Sequence, residues 1–159
     1  MMTDVSDFIN QQRKYEEKLA DIMSWEYIED QSKGSSYDFL SPDGAKIEAK
    51  FDWESEKTSN HYLEFSQTSD GGETWVPSGF SISEIEIDYW IVINNEFLRY
   101  FQIKVLKKFL QENRRKFKIV QSRKNINNNR SGQFSKGYLI PFDYLDKIAN
   151  LKIKSPISK

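Results

Sequence analysis

Asp38, Glu48 and Lys50 are the residues whose types and spacing could carry chemistry. They lie in SYDFLSPDGAKIEAKFD, residues 36–52, where two strand-like runs flank Pro42-Asp43-Gly44. A three-residue hairpin loop is typically a type I turn followed by a residue in the left-handed region. Pro42 suits the second position of such a turn, Asp43 the third and Gly44 the left-handed one. Ser41 then faces Ala45, and the register sets Asp38 opposite Glu48. A two-residue loop would shift the register by one and turn Asp38 to the other face. Glu48 and Lys50 are two apart on a strand and share a face. Ile47, Ala49 and Phe51 point the other way, beside Tyr37 and Phe39. Directly opposed Cβ atoms lie about 4.5–5.5 Å apart. Two carboxylates at that distance repel unless positive charge lies between them. A hard divalent cation such as Mg²⁺ supplies it, with waters completing its shell. Lys50 then stands beside a metal-bound water or a bound phosphate. The plainer alternative is a solvated hairpin face.

Several elements must position these residues. The spacing of Phe8, Ile9, Tyr15, Leu19 and Ile22 predicts an amphipathic helix over residues 5–24. Residues 31–36 read as a loop and HYLEFSQT as a third strand after the hairpin. SDGGETWVPSGFS, residues 69–81, breaks the pattern with Gly, Ser and Pro. IDYWIVI and EFLRYFQI form an apolar pair around Asn94-Asn95, which predicts a second hairpin. Residues 103–114 read as a helix, KFKIVQS as a short strand, residues 122–137 as a basic Asn-rich loop, and GYLIP as another short strand. Pro141 introduces a last short helix through Ile148, and the tail after Lys152 is expected to fray. No repeat or clean linker divides the 159 residues, so one domain is expected, with a core over about residues 5–122 and the basic loop and C-terminal strand and helix over 122–150.

Composition narrows the chemistry. The chain has no Cys and one His, His61. Disulfide scaffolds, zinc ribbons, iron–sulfur clusters and thiol nucleophiles are excluded. With aromatics at 14% the chain is not predominantly disordered. No apolar run approaches the ~18 residues of a membrane span, and the N-terminal stretch lacks the pattern of a secretory signal. An intracellular protein without membrane contact is expected. No Walker-type or G-x-G-x-x-G phosphate loop is present. A Ser/His/Asp relay would need His61, which reads as a surface residue in a polar stretch. Trp53, Trp75 and Trp90 are most simply core.

The net charge of −1 hides a division. Residues 1–98 hold 21 acidic and 7 basic side chains, and residues 99–159 hold 3 acidic and 16 basic ones. Such asymmetry hints at nucleic-acid contact, or simply at halves that neutralise each other in the fold. Arg114, Arg115, Lys116 and Lys118 cluster where a helix meets a strand. Arg123, Lys124, Arg130 and Lys136 follow among Asn, Ser and Gly. Such side chains contact phosphates through charge and amide groups, and Asn also pairs with adenine edges. A solubilising loop is the alternative, and the helix dipole alone favours Arg114 and Arg115 where they stand.

Asp38 on one strand followed by Glu48-Ala49-Lys50 on the next resembles the PD-(D/E)XK nuclease superfamily. The other Glu-x-Lys triplet, Glu16-Glu17-Lys18, falls in the predicted helix, where residues two apart do not share a face. The resemblance implies an α/β fold with a restriction-endonuclease-like core, a mixed central β-sheet flanked by helices in the order αβββαβ. It implies that Asp38 and Glu48 bind Mg²⁺ (Mn²⁺ as an alternative), with the Ala49 carbonyl as a third protein ligand. It implies that Lys50 orients or deprotonates the attacking water or stabilises charge. Many members add a Glu from the first helix, here Glu16 or Glu17, with Glu17 preferred. Glu64, on the following strand, is a further candidate, and Asp88 reads as a strand-end cap. The expected partner is DNA, with Arg114, Arg115, Arg123, Lys124, Arg130 and Lys136 as contacts. The expected assembly is a homodimer or higher homo-oligomer, since one site cuts one strand. Restriction, homing, repair and phage-encoded recombination roles all fit. The competing expectations are a non-catalytic DNA- or RNA-binding protein on the same fold and a phage accessory domain for protein interaction.

Overall fold

Strands β2 (Phe39–Leu40) and β3 (Lys46–Phe51) close on Pro42-Asp43-Gly44 as the turn chemistry requires. The computed structural model describes residues 5–28, 37–123 and 132–159. The Gly44 N–H donates to the Ser41 carbonyl at 2.9 Å, and the Ser41 N–H donates to the Ala45 carbonyl at 3.0 Å. Gly44 has φ +86°, the left-handed conformation that glycine adopts without a Cβ penalty. The pairs Phe39↔Ile47 and Leu40↔Lys46 give the register expected of a three-residue loop.

Helix α1 (Val5–Met23) buries Leu19 and Ala20 and partly buries Gln12, Tyr15, Glu16 and Met23. These positions fall on one helical stripe. Ile9, in the N-terminal half of the helix, and Ile22, at the edge of the stripe, are exposed, against the apolar face expected from sequence. Ser24 takes φ +59°, and the Trp25 N–H donates to the Ala20 carbonyl at 2.9 Å, which ends the helix in a Schellman-type closure. That closure turns the chain into β1 (Glu26–Tyr27), a strand with no sequence signal long enough to read.

The remaining elements are the short helix α2 (Ser55–Thr58), β4 (Asn60–Thr68), β5 (Val76–Pro77), α3 (Phe80–Glu86), β6 (Tyr89–Ile93), β7 (Phe97–Gln102), α4 (Ile103–Asn113), a 3-10 turn (Arg114–Lys116), β8 (Lys118–Arg123), β9 (Phe134–Pro141), α5 (Phe142–Leu145) and β10 (Leu151–Lys154). Among the described residues, one sheet has the order β1-β2-β3-β6-β7-β10 and a second the order β5-β4-β9-β8. β3 and β6 are parallel and the other pairs antiparallel, so the fold is α/β with a mixed sheet.

The six-stranded sheet is covered on both faces. One face sets Ile47, Ala49, Ile91, Ile93 and Leu98 against Leu19 and Ala20 of α1 and against Ile157 of the tail. The other sets Trp90, Val92 and Phe101 against Leu63 and Ile140 of the second sheet and against α3, α4 and α5. Ile47, Ile91, Ile93 and Leu98 are fully buried. Each such side chain contributes about 1.5–3 kcal/mol relative to exposure, which anchors β3 and β6 firmly.

The hairpin of β6 and β7 about Asn94-Asn95 forms as expected, with the Asn94 side chain accepting the Glu96 and Phe97 N–H groups. HYLEFSQT forms a strand as expected, β4, but in the second sheet, paired with β9. Other expectations are corrected. Helix α3 forms within and just beyond the Gly- and Ser-rich stretch, because Phe80 and Ile87 have a core to bury into. Lys136 lies in β9, which begins at Phe134, not in a loop. The tail does not fray at Lys152: β10 pairs with β7, and Ile157 is buried. No described helix is long and apolar enough to cross a membrane.

Candidate active site

Asp38 stands immediately before β2, outside its regular ladder with β3. Its N–H donates to the Ile47 carbonyl and its own carbonyl accepts the Ile28 N–H, both at 2.9 Å. Its carboxylate then turns inward and accepts the Ala49 N–H at 3.1 Å. The N–H and C=O of one strand residue point to the same edge. The Ala49 carbonyl therefore opens to the side from which Asp38 reaches in. Glu48 and Lys50 point off the other face of β3 from Ile47 and Ala49, as the alternation predicts.

These groups line a cavity of about 580 Å³ whose walls also include Gln12, Glu16, Asp52, His61, Tyr62, Glu64 and Trp90. Burial, and then the Asp38 charge, push Glu48 well above the usual carboxylate range against the pull of Lys50. The Lys50 ammonium is 3.4 Å from Glu48. Burial works against its charge, but Glu48 and Asp38 outweigh that and hold it above the usual lysine value. Gly79 is part of the same wall, and a Cβ there would stand 2.5 Å from the Glu64 carbonyl oxygen. Only glycine permits α3 to start so close to β4.

The helix acid is Glu16, not Glu17. Glu16 sits on the buried stripe of α1 and lines the cavity, whereas Glu17, about 100° further round the helix, is exposed and outside it. Burial, then Asp38, raise the Glu16 carboxyl, which also accepts the Tyr27 hydroxyl at 2.6 Å. Burial and Glu16 push the Tyr27 hydroxyl up in turn. The apolar stripe through Phe8, Tyr15 and Leu19 already lies nearer Glu16 than Glu17 on the helical wheel, and that angle was the signal in the sequence. Glu64 reaches the cavity wall and acts on Lys50 through its charge. Asp88 is the strand-end cap expected of it, accepting the Lys46 N–H at 2.9 Å.

His61 is not a surface residue. It is 1% exposed, with Nδ1 2.8 Å from the Asp52 carboxylate and Nε2 3.4 Å from the Trp90 indole nitrogen. Lys57, Thr58 and Ser59 before it are exposed, while Tyr62 and Glu64 after it line the cavity, so the change from surface to interior falls at His61 itself. Asp52, at the end of β3, also takes the Tyr62 N–H at 3.1 Å.

The basic candidates fall elsewhere. Arg114, Arg115, Lys116 and Lys118 are exposed, and none lines the cavity. Arg123 ends β8. Lys124 and Arg130 lie outside the described residues. Lys136 holds its ammonium 4.1 Å from the centre of the Trp75 ring. The sequence reading missed Lys104, Lys107 and Lys108, which are exposed along α4 and extend the basic stretch ahead of Arg114. Their three- and four-residue spacing was the signal for a single charged helix face.

Among the described residues, no three His, Cys, Asp or Glu side chains group as a metal cluster. The donors at the head of the cavity are two carboxylates and a backbone carbonyl. That all-oxygen set suits a hard cation such as Mg²⁺, with waters for the remaining positions. The Asp38 charge that bears on the buried Glu48 carboxyl favours a cation there, since a cation would offset it. Comparison with protein-family models, with curated proteins and with solved structures gives no match.

Proposed function

We propose that this chain is a Mg²⁺-dependent endonuclease that hydrolyses DNA phosphodiester bonds, built on a restriction-endonuclease-like core of the PD-(D/E)XK type. The observation that carries the reading is the convergence of Asp38, Glu48, Lys50 and Glu16 on one cavity. The order of elements supports it: α1, the antiparallel run β1-β2-β3, then α3, then β6 parallel to β3. Within the large sheet that gives an αβββαβ order only when α2, β4 and β5, which lie between β3 and α3 and supply part of the second sheet, are set aside as an insertion.

Asp38, Glu48 and the Ala49 carbonyl would hold the cation. When bound, Mg²⁺ supplies a water of lowered pKa and a counter-charge for the phosphate oxygens. Lys50 sets a positive charge beside the attacked phosphate and orients the nucleophile. Glu16, raised and tied to Tyr27, is placed to hold a proton at its carboxyl. Glu64 shapes the charge on Lys50 from the opposite wall. The exposed cations of α4 and of residues 114–118 contact backbone phosphates outside the cavity. A second copy of the chain is needed to cut the second strand.

Asp38→Ala separates this reading from a non-catalytic one. The expected result is lost cleavage of linear and supercoiled DNA with DNA binding retained. Cleavage that survives in Asp38→Ala contradicts the proposal. Binding unaltered by salt and by substitution at Arg114 and Arg115 removes the nucleic-acid partner altogether.

A further inference from the structure

We propose that Asp52, His61 and Trp90 form a chain of positioning residues that seats Lys50 on the indole face. The catalytic consequence rests on the endonuclease reading above; the placement of Lys50 does not.

An indole nitrogen only donates hydrogen bonds. The Trp90 N–H, 3.4 Å from His61 Nε2, therefore makes Nε2 the acceptor. Nδ1 then carries the imidazole proton and donates it to Asp52 at 2.8 Å. The direction runs from Trp90 to His61 to Asp52, and Asp52 is fixed in turn by the Tyr62 N–H. Both His61 nitrogens are occupied, so the ring has no proton to exchange with a substrate even though it borders the cavity. Its role is to stop the indole from rotating. Phe80 packs edge-on against that indole, with centroids 5.4 Å apart, and Trp90 is 1% exposed.

Lys50 is the group this arrangement serves. Its Nζ lies 5.3 Å from the Trp90 ring, within the range of a cation–π contact. The β3–β6 register sets Trp90 beside Glu48 and Val92 beside Lys50, so the indole lies on the Lys50 face of the sheet. Lys50 keeps 39% of its side-chain surface accessible, and a four-carbon stem is costly to immobilise. Its direct contacts are the Glu48 carboxylate and the indole face, with Asp38 and Glu64 acting on its charge from further off. Once Glu48 ligates a cation, the indole is the direct contact that does not compete with the metal. The chain spans the structure, from the end of β3 through β4 of the second sheet to β6, so the two sheets jointly set where Lys50 stands.

The test uses the full chain, with and without Mg²⁺, and reads Lys50 directly. In lysine-labelled protein the Lys50 methylene resonances, assigned by their loss in Lys50→Arg, are expected to be ring-current shifted. Trp90→Leu should abolish the shift, His61→Leu should reduce it, and His61→Gln, which keeps an acceptor and a donor, should restore part of it. In cleavage assays Trp90→Phe and His61→Leu should lower kcat about ten- to a hundredfold, the cost of misplacing a reacting group by roughly 1 Å. KM for DNA should be unchanged, with His61→Gln intermediate. A purely structural role lowers thermal stability without this split between kcat and KM. Asp52→Asn, nearly isosteric, serves if His61→Leu does not fold. An unshifted Lys50 in the unsubstituted protein overturns the proposal, as does a folded His61 or Asp52 variant with unaltered Lys50 resonances and kcat. Absence of cleavage by the unsubstituted chain counts against the endonuclease reading alone, because the resonances still decide the seating of Lys50.

Discussion

Glu16 and Glu17 are adjacent acids with different fates, and the difference is helical geometry. One step along α1 turns a side chain by about 100°, from the cavity wall into solvent. Glu16→Gln is therefore expected to lower the cleavage rate by about a hundredfold, the lower end of the range for removing one group that handles a proton. Glu17→Gln should leave it unchanged. Equal effects of the two would remove Glu16 from the site. That Glu48 and Lys50 share a face was legible because a strand alternates, whereas Asp38 reaches their cavity from just before β2, outside the regular ladder. His61 was not legible. Its partners Asp52 and Trp90 are 9 and 29 residues away, and nothing local marks a buried imidazole.

Arg99 on β7 shows how elements are tied at the edge of the large sheet. Its guanidinium is buried, stacks 3.6 Å from the centre of the Phe142 ring, and donates from Nε to Asp146 at 2.6 Å. Lys152 of β10 reaches the other Asp146 oxygen at 2.9 Å. Partial burial opposes the Asp146 charge, but Arg99 and Lys152 hold its carboxyl below the ordinary value of 3.8. A lowered carboxyl stabilises the fold fully above its unfolded value, and that contribution disappears as pH falls below about 3.8 through the folded value. Asp146→Asn should cost about 3 kcal/mol near neutral pH, since it leaves a buried guanidinium without its counter-charge. The acid limb of a stability-versus-pH curve should flatten in that variant. An unaltered melting temperature would show that the clamp contributes nothing. The sequence offered the turn of β2 and β3 and the Asn94 turn because both are local. Helix α3 and strands β1 and β10 escaped because each is short and owes its order to tertiary contacts, burial at Phe80 for α3 and pairing with β2 and β7 for the two strands.

The charge division along the chain does not become a division of the molecule. β4 from the acidic half pairs with β9 from the basic half, and β6 pairs with β7 and, through it, β10. Part of the asymmetry is thus neutralised by folding, while Lys104, Lys107, Lys108 and Arg114–Lys116 remain exposed. Replacing Arg114, Arg115 and Lys116 together with Ala should weaken DNA binding equally across sequences. It should also reduce the dependence of log K on log salt by about 0.9 for each phosphate that is no longer neutralised. A selective loss for one sequence would mean that these residues read bases instead. The interleaving was not legible, because a one-dimensional charge count carries no information on which strands pair.

Supercoiled plasmid incubated with the purified chain in Mg²⁺, alongside Lys50→Ala and an EDTA control, tests the central claim most directly. The account predicts nicked or linear product that appears only with the cation and is lost in Lys50→Ala, whose fold and DNA affinity are preserved. Cleavage that persists in EDTA or in Lys50→Ala would contradict it.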